Sequence, residues 1–93
     1  MKFYAEWCIA CNKLERVVFT NTLVNEALKD SLTYTADVTN NNSFSQTVLS
    51  RFSLVGPPAI LFFKGGKELR AQRIIGEMSA TELTKHLNGL DSL

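Results

Sequence analysis

Apolar and polar residues change their period several times along the chain, and each change marks an element. Phe3 and Ala5 end a short apolar strand at the chain start. Cys11, Leu14 and Val18 then recur at helical spacing, predicting a helix from about residue 8 to residue 19. A second helix is predicted over residues 22–29, with Leu23, Val24, Ala27 and Leu28 on one face and Asn21 as its cap. Leu32, Tyr34, Ala36 and Val38 alternate with Thr33, Thr35 and Asp37, the pattern of a strand with one buried face. Ser43 is the expected cap of a helix whose apolar positions are Phe44, Val48, Leu49 and Phe52. Gly56-Pro57-Pro58 stops that helix and permits a sharp turn.

Residues 59–63 form an unbroken apolar run, as in a central strand covered on both faces. Gly65-Gly66 predicts a hairpin, followed by a strand over residues 68–75 that ends at Gly76. Ser79 and Glu82 make a capping box for a last helix striped by Ala80, Leu83, Leu87 and Leu90. Phe44, Phe52, Phe62 and Phe63 are assigned to the core, and His86 to the solvent side of the last helix. Strands joined by helical crossovers pair in parallel, and the glycine hairpin adds an antiparallel edge. The class is α/β: a central mixed four-stranded sheet flanked by helices on both faces.

Composition narrows the function classes. Ninety-three residues is about 0.6 of a typical domain of roughly 150 residues, so residues 1–93 read as a single domain. An apolar fraction of 45% excludes a disordered tail. Ten basic against nine acidic residues leave a net charge of +1, which gives no footprint for nucleic acid and no polybasic run for a membrane surface. The longest apolar run falls far short of the ~20 residues that span a bilayer, so no direct membrane insertion by this segment is expected. The acid at Glu6 and the lack of a long apolar stretch before it do not fit a signal peptide. A monomer is expected.

The candidate chemistry lies at Trp7-Cys8-Ile9-Ala10-Cys11. A loop of about four residues closed by a disulfide is worth only ~2 kcal/mol on the chain-entropy model, so the pair is a poor staple and suits opening and closing. The predicted strand delivers Cys8 to a helix start, where unpaired N–H groups and the dipole favour an anion. Lowering a thiol pKa from about 8.5 to about 7 requires ~2 kcal/mol, whereas the dipole supplies ~0.3–1 kcal/mol. Direct hydrogen bonds to sulfur must add the remainder, from the N–H groups of Ala10 and Cys11 and from the Cys11 thiol. Cys8 is then the attacking sulfur and Cys11 the resolving one. A zinc site needs about four ligands and only His86 is left, so no metal is expected. A c-type haem attachment needs His where Asn12 stands. No cofactor is required, because a dithiol carries both electrons. Two inert buried cysteines are the bland alternative.

The segment Phe3-Tyr4-Ala5-Glu6-Trp7-Cys8-Ile9-Ala10-Cys11 resembles the active-site segment of the thioredoxin superfamily. Val55-Gly56-Pro57-Pro58-Ala59-Ile60-Leu61-Phe62-Phe63 resembles its cis-proline loop and the strand after it. Phe19-Thr20-Asn21 and Ala36-Asp37-Val38-Thr39 fit best the branch formed by the C-terminal thioredoxin-like domains of DsbD-type carriers. The resemblance implies a thioredoxin-like fold and a thiol–disulfide oxidoreductase, a periplasm-facing relay domain of an inner-membrane electron carrier. Its partners would be protein disulfides or dithiols of redox partner domains. Cys8 and Cys11 would carry the exchange, with Pro58 as the cis-proline, and Trp7, Pro57 and Pro58 in the apolar docking surface. Glu15 matches an acidic residue of that branch that raises the pKa of the active-site thiols. A free-standing, cytoplasmic thioredoxin and a binding module with vestigial cysteines are the alternatives.

Two departures from the resemblance stand out. The family's first strand and helix have no counterpart before Met1. Lys2 stands where the family has a buried Asp, six residues before the attacking cysteine, and is expected at a frayed terminus. That leaves Glu15 as the acid/base candidate.

Overall fold

The computed structural model describes residues 1–90 of the 93. Its frame is a four-stranded sheet in the order β2-β1-β3-β6. Strand β1 (Lys2–Tyr4) pairs in parallel with β2 (Thr35–Asp37) and antiparallel with β3 (Ala59–Ile60). Strand β6 (Ile74–Ile75) closes the far side, antiparallel to β3. The register sets Phe3 between Ala36 and Ala59. Small partners on both sides of a large ring let α3 (Ser43–Arg51) settle on that face through Val48 and Leu49, with Phe52 just beyond its end. On the other face, Ile60 and Ile74 pack with Leu14, Val18, Val24 and Leu83. Those residues come from α1 (Ile9–Lys13) and its continuation Leu14–Val18, from α2 (Thr22–Leu28) and from α4 (Ala80–Leu90). Helices therefore cover both faces, as the alternation of apolar positions requires.

Capping follows the polar residues at the helix starts. Asn21 Oδ1 accepts from the N–H groups of Leu23 and Val24 at 2.9 and 3.3 Å. Ser79 Oγ accepts from the Glu82 N–H at 3.1 Å and donates to Glu82 Oε1 at 3.1 Å. Asn42, not Ser43, caps α3, because its Oδ1 reaches the Ser45 N–H at 2.9 Å. Gly65 and Gly66 adopt φ of 60° and 80°, the left-handed pair that a two-residue hairpin needs, between β4 (Phe63–Lys64) and β5 (Lys67–Glu68).

Several expectations are corrected. The predicted strand over 32–38 is paired only at Thr35–Asp37, because β1 offers three residues; Leu32 lies beyond its end and is 83% exposed, and Tyr34 is also exposed. Leu23 and Phe44 point to solvent rather than into the core. The run at 59–63 is buried through Leu61, but Phe63 leaves for the hairpin and is exposed. That hairpin forms a separate two-stranded sheet, so β6 supplies the antiparallel edge. The strand expected over 68–75 is broken by a tight turn at Arg70–Gln72. The turn brings Arg73 back onto Glu68 in a fork of 2.5 and 2.8 Å, while Arg73 Nη1 donates to Phe52 O at 2.8 Å. His86 is half-buried, its Nε2 2.9 Å from Gln72 O and its ring against Phe62.

Candidate active site

The turn out of β1 places Cys8 as the N-cap of α1, with extended backbone (φ −89°). Its Sγ accepts from the Cys11 N–H at 3.1 Å, so one of the two expected backbone donors is in place. Cys8 and Cys11 are joined as a disulfide across a Cα–Cα distance of 5.2 Å. Both cysteines are buried in the same apolar cluster, Cys8 at 7% exposed and Cys11 at 2%.

The loop carrying Trp7 is pinned by residues that the sequence reading passed over. The Glu6 N–H donates to Thr39 Oγ1 and the Trp7 indole N–H to Thr39 O, both at 2.9 Å. Thr39 in turn donates through its hydroxyl and its N–H to Asp37 Oδ1, at 2.5 and 2.9 Å. The hydroxyl first, then the N–H, holds the Asp37 carboxyl below the usual carboxylate range. Asn12 Nδ2 donates to Glu6 O at 2.9 Å, and its Oδ1 accepts from the Tyr4 hydroxyl at 3.2 Å. The available signal was Asp37-Val38-Thr39 at a strand end, a spacing that favours a side-chain-bonded turn. Trp7 is 63% exposed even though its N–H is anchored, so the ring offers an apolar face beside Cys8.

The Pro57–Pro58 peptide bond is cis. Pro58 O accepts from the Gly76 N–H at 3.1 Å, which ties this loop to the end of β6. Pro58, Cys11, Glu15, Lys2, Tyr4 and Phe19 line one cavity of about 10 Å³ beneath the disulfide. Glu15 reaches it from the segment Leu14–Val18, where the Phe19 N–H bonds Leu14 O at 2.8 Å, five residues back. Wider turns of this kind are frequent at functional sites.

Lys2 is not frayed. Both its neighbours in the sheet are in register, and its Nζ lies 2.6 Å from Glu15 Oε1. The ammonium also sits 4.2 Å from the Phe19 ring centroid. Two partners, a carboxylate and an aromatic face, compensate a cation that the sequence alone makes costly to bury. Lys13 is exposed and stands 3.9 Å from Glu77. Among the described residues, no three His, Cys, Asp or Glu side chains are grouped to hold a metal.

Residues 1–89 match the model of the Thioredoxin family. The chain belongs to the thioredoxin family. Cys8 and Cys11, joined as a disulfide at the start of α1, lie within the matched residues. Among similar proteins, the thiol:disulfide interchange protein DsbD of Yersinia pestis (strain Pestoides F) is 40% identical over 88 residues, 94% of this chain and 15% of that protein. DsbD of Photorhabdus laumondii is 41% identical over 91 residues, 97% of this chain and 16% of that protein. The chain thus spans about a sixth of the length of these relatives. The crystal structure of the oxidised C-terminal domain of Neisseria meningitidis DsbD superposes with a TM-score of 0.83 at 25% identity, covering 95% of this chain and 75% of that one. A thioredoxin from Thermus thermophilus shares the fold, with a TM-score of 0.79 at 22% identity over 97% of this chain and 70% of its own.

Proposed function

We propose that residues 1–93 form one domain that works as the C-terminal, periplasm-facing relay of a DsbD-type electron carrier. It takes two electrons from the membrane-embedded part of such a carrier and passes them to the disulfide of a partner domain. One observation carries this reading: a cysteine capping a helix, bridged to a second one that shares a cavity with a cis-proline, in a chain of which 94% aligns with part of DsbD. Among the described residues no helix is long and apolar enough to cross a membrane, so a membrane-embedded source of electrons would lie elsewhere in the carrier.

The exchange balances without a cofactor. In the reduced state Cys8 attacks one sulfur of the target disulfide as its thiolate, and the other target sulfur leaves as a thiolate that takes a proton from water. Cys11 then loses its proton and attacks Cys8 Sγ; the Cys8–target bond breaks as the Cys8–Cys11 bond forms. The target ends as a dithiol, and two electrons have moved to it. The Cys11 N–H directed at Cys8 Sγ favours the anion on the attacking sulfur. Glu15, the acidic residue beside the thiols, is paired with Lys2 at 2.6 Å and lines the same cavity as Cys11. Trp7, Pro57 and Pro58 form the apolar surface on which the partner docks.

The test is trapping. Cys11→Ala should accumulate a mixed disulfide through Cys8, and Cys8→Ser should abolish insulin reduction. Capture of a thiol–disulfide partner domain from a periplasmic extract supports the relay. Capture of many unrelated cytosolic proteins would favour a free-standing thioredoxin, and undiminished activity of Cys8→Ser would leave only a binding module.

A further inference from the structure

We propose that Lys2 is a positioning residue that neutralises Glu15 across the cavity beneath Cys11, and thereby sets the pH range in which Cys11 resolves the mixed disulfide. The inference rests on the oxidoreductase reading above and goes beyond it, because it concerns a side chain that the resemblance made anomalous. Lys2 and Glu15 meet at 2.6 Å, with 22% and 37% of their side chains exposed, so solvent screens the pair only in part. Both line the small cavity that Cys11 and Pro58 share.

The charge count decides the consequence. With Glu15 alone, ionising Cys11 would place two negative charges around one small cavity. With Lys2 present the space is neutral before Cys11 ionises and carries one negative charge afterwards. An opposite charge nearby favours the ionised form and a like charge opposes it. The Phe19 ring, 4.2 Å from the ammonium, gives it a second partner, and the fixed register of β1 limits where the Lys2 stem can go.

The other titratable groups around the cavity do not duplicate this role. Tyr4, on β1, is turned to Asn12. The Met1 ammonium donates to Leu61 O at 2.8 Å; burial, and then the charge of Lys2, hold it below its ordinary value. Asp37 on β2 is engaged by Thr39, and Lys13 of α1 pairs with Glu77 at the surface. From β3 and the loop before it, the cavity receives Pro58, Ala59 and Ile60, which carry no charge.

The experiment follows the reduced chain reacting with 5,5′-dithiobis(2-nitrobenzoate), which releases one thionitrobenzoate when Cys8 attacks and a second when Cys11 resolves. The second phase isolates Cys11. For Lys2→Met its pH profile should move to alkaline pH by about one unit, making it about tenfold slower at neutral pH, while Lys2→Arg stays within about twofold of the parent. Lys2→Met/Glu15→Gln should return most of the way to the parent profile. Should Lys2→Met fold poorly, Glu15→Gln alone keeps the test: its second phase should move toward acid pH. A Lys2→Met profile that superimposes on the parent, a double variant as slow as Lys2→Met, or an alkaline shift in Glu15→Gln each overturns the inference. If the parent chain shows no second phase at all, it is the oxidoreductase reading that fails.

Discussion

Thr39 links Asp37 on one side to the backbone of Glu6 and the indole of Trp7 on the other, so one hydroxyl and one carbonyl fix the loop that presents Cys8. Thr39→Val keeps the shape and removes the hydroxyl. The bond from the Glu6 N–H is worth about 1 kcal/mol, and its loss should lower stability by that order and broaden Trp7 emission. The pH dependence has a definite sign. Asp37 is held below the usual carboxylate range, so its contribution is present above that range and disappears as pH falls through the folded-state value. Trp7 fluorescence in the parent should therefore change on acidification below the ordinary carboxylate range. Asp37→Asn should show the perturbed emission already at neutral pH and lose that transition; persistence of the transition would assign it to another carboxylate.

The segments that carry chemistry are also the ones whose local geometry departs from the periodic pattern. Cys11, Leu14 and Val18 are all buried, as a regular helix predicts, yet the chain widens between Leu14 and Val18 and delivers Glu15 to the cavity. Hydrophobic spacing cannot reveal such a turn, because one extra residue per turn leaves the apolar stripe facing the same way over so short a length. Caps were more legible: Asn21 and Ser79 act where the sequence places them, and Asn42 takes the role given to Ser43, one residue later. Asn21→Ala should cost about 1 kcal/mol, read as a lower thermal midpoint, because two N–H groups lose their acceptor. An unchanged midpoint would mean that α2 is held by Val24 and its neighbours alone.

For the molecule as a whole, stability and redox state are only loosely coupled. A disulfide closing so short a loop contributes about 2 kcal/mol at most by chain entropy, so the reduced domain should stay folded. Leu61 and Leu83 are fully buried in the two apolar clusters on either side of the sheet. Leu83→Ala should cost about 2–5 kcal/mol, more than reduction of Cys8–Cys11 costs the parent. Denaturant unfolding of the reduced, oxidised and Leu83→Ala proteins gives that order directly. A reduced domain less stable than oxidised Leu83→Ala would assign the bridge a structural role after all.

Periodicity, turn residues and the Cys8–Cys11 spacing were enough to place the helices, the glycine hairpin and the mixed character of the sheet, because those depend on neighbours a few residues apart; the split of the 68–75 strand and the separation of the hairpin from the main sheet were not legible there. Which apolar residues stay outside was decided by the tertiary structure: Leu32 lies beyond the end of the β1–β2 pairing, Phe63 leaves for the hairpin, and Phe44 in the first turn of α3 faces solvent. The fate of Lys2 was likewise decided only in three dimensions. Its partners Glu15 and Phe19 lie on the helix after the active-site loop, and only the packing of that helix on β1 turns an improbable buried cation into one half of an ion pair beneath a reactive sulfur.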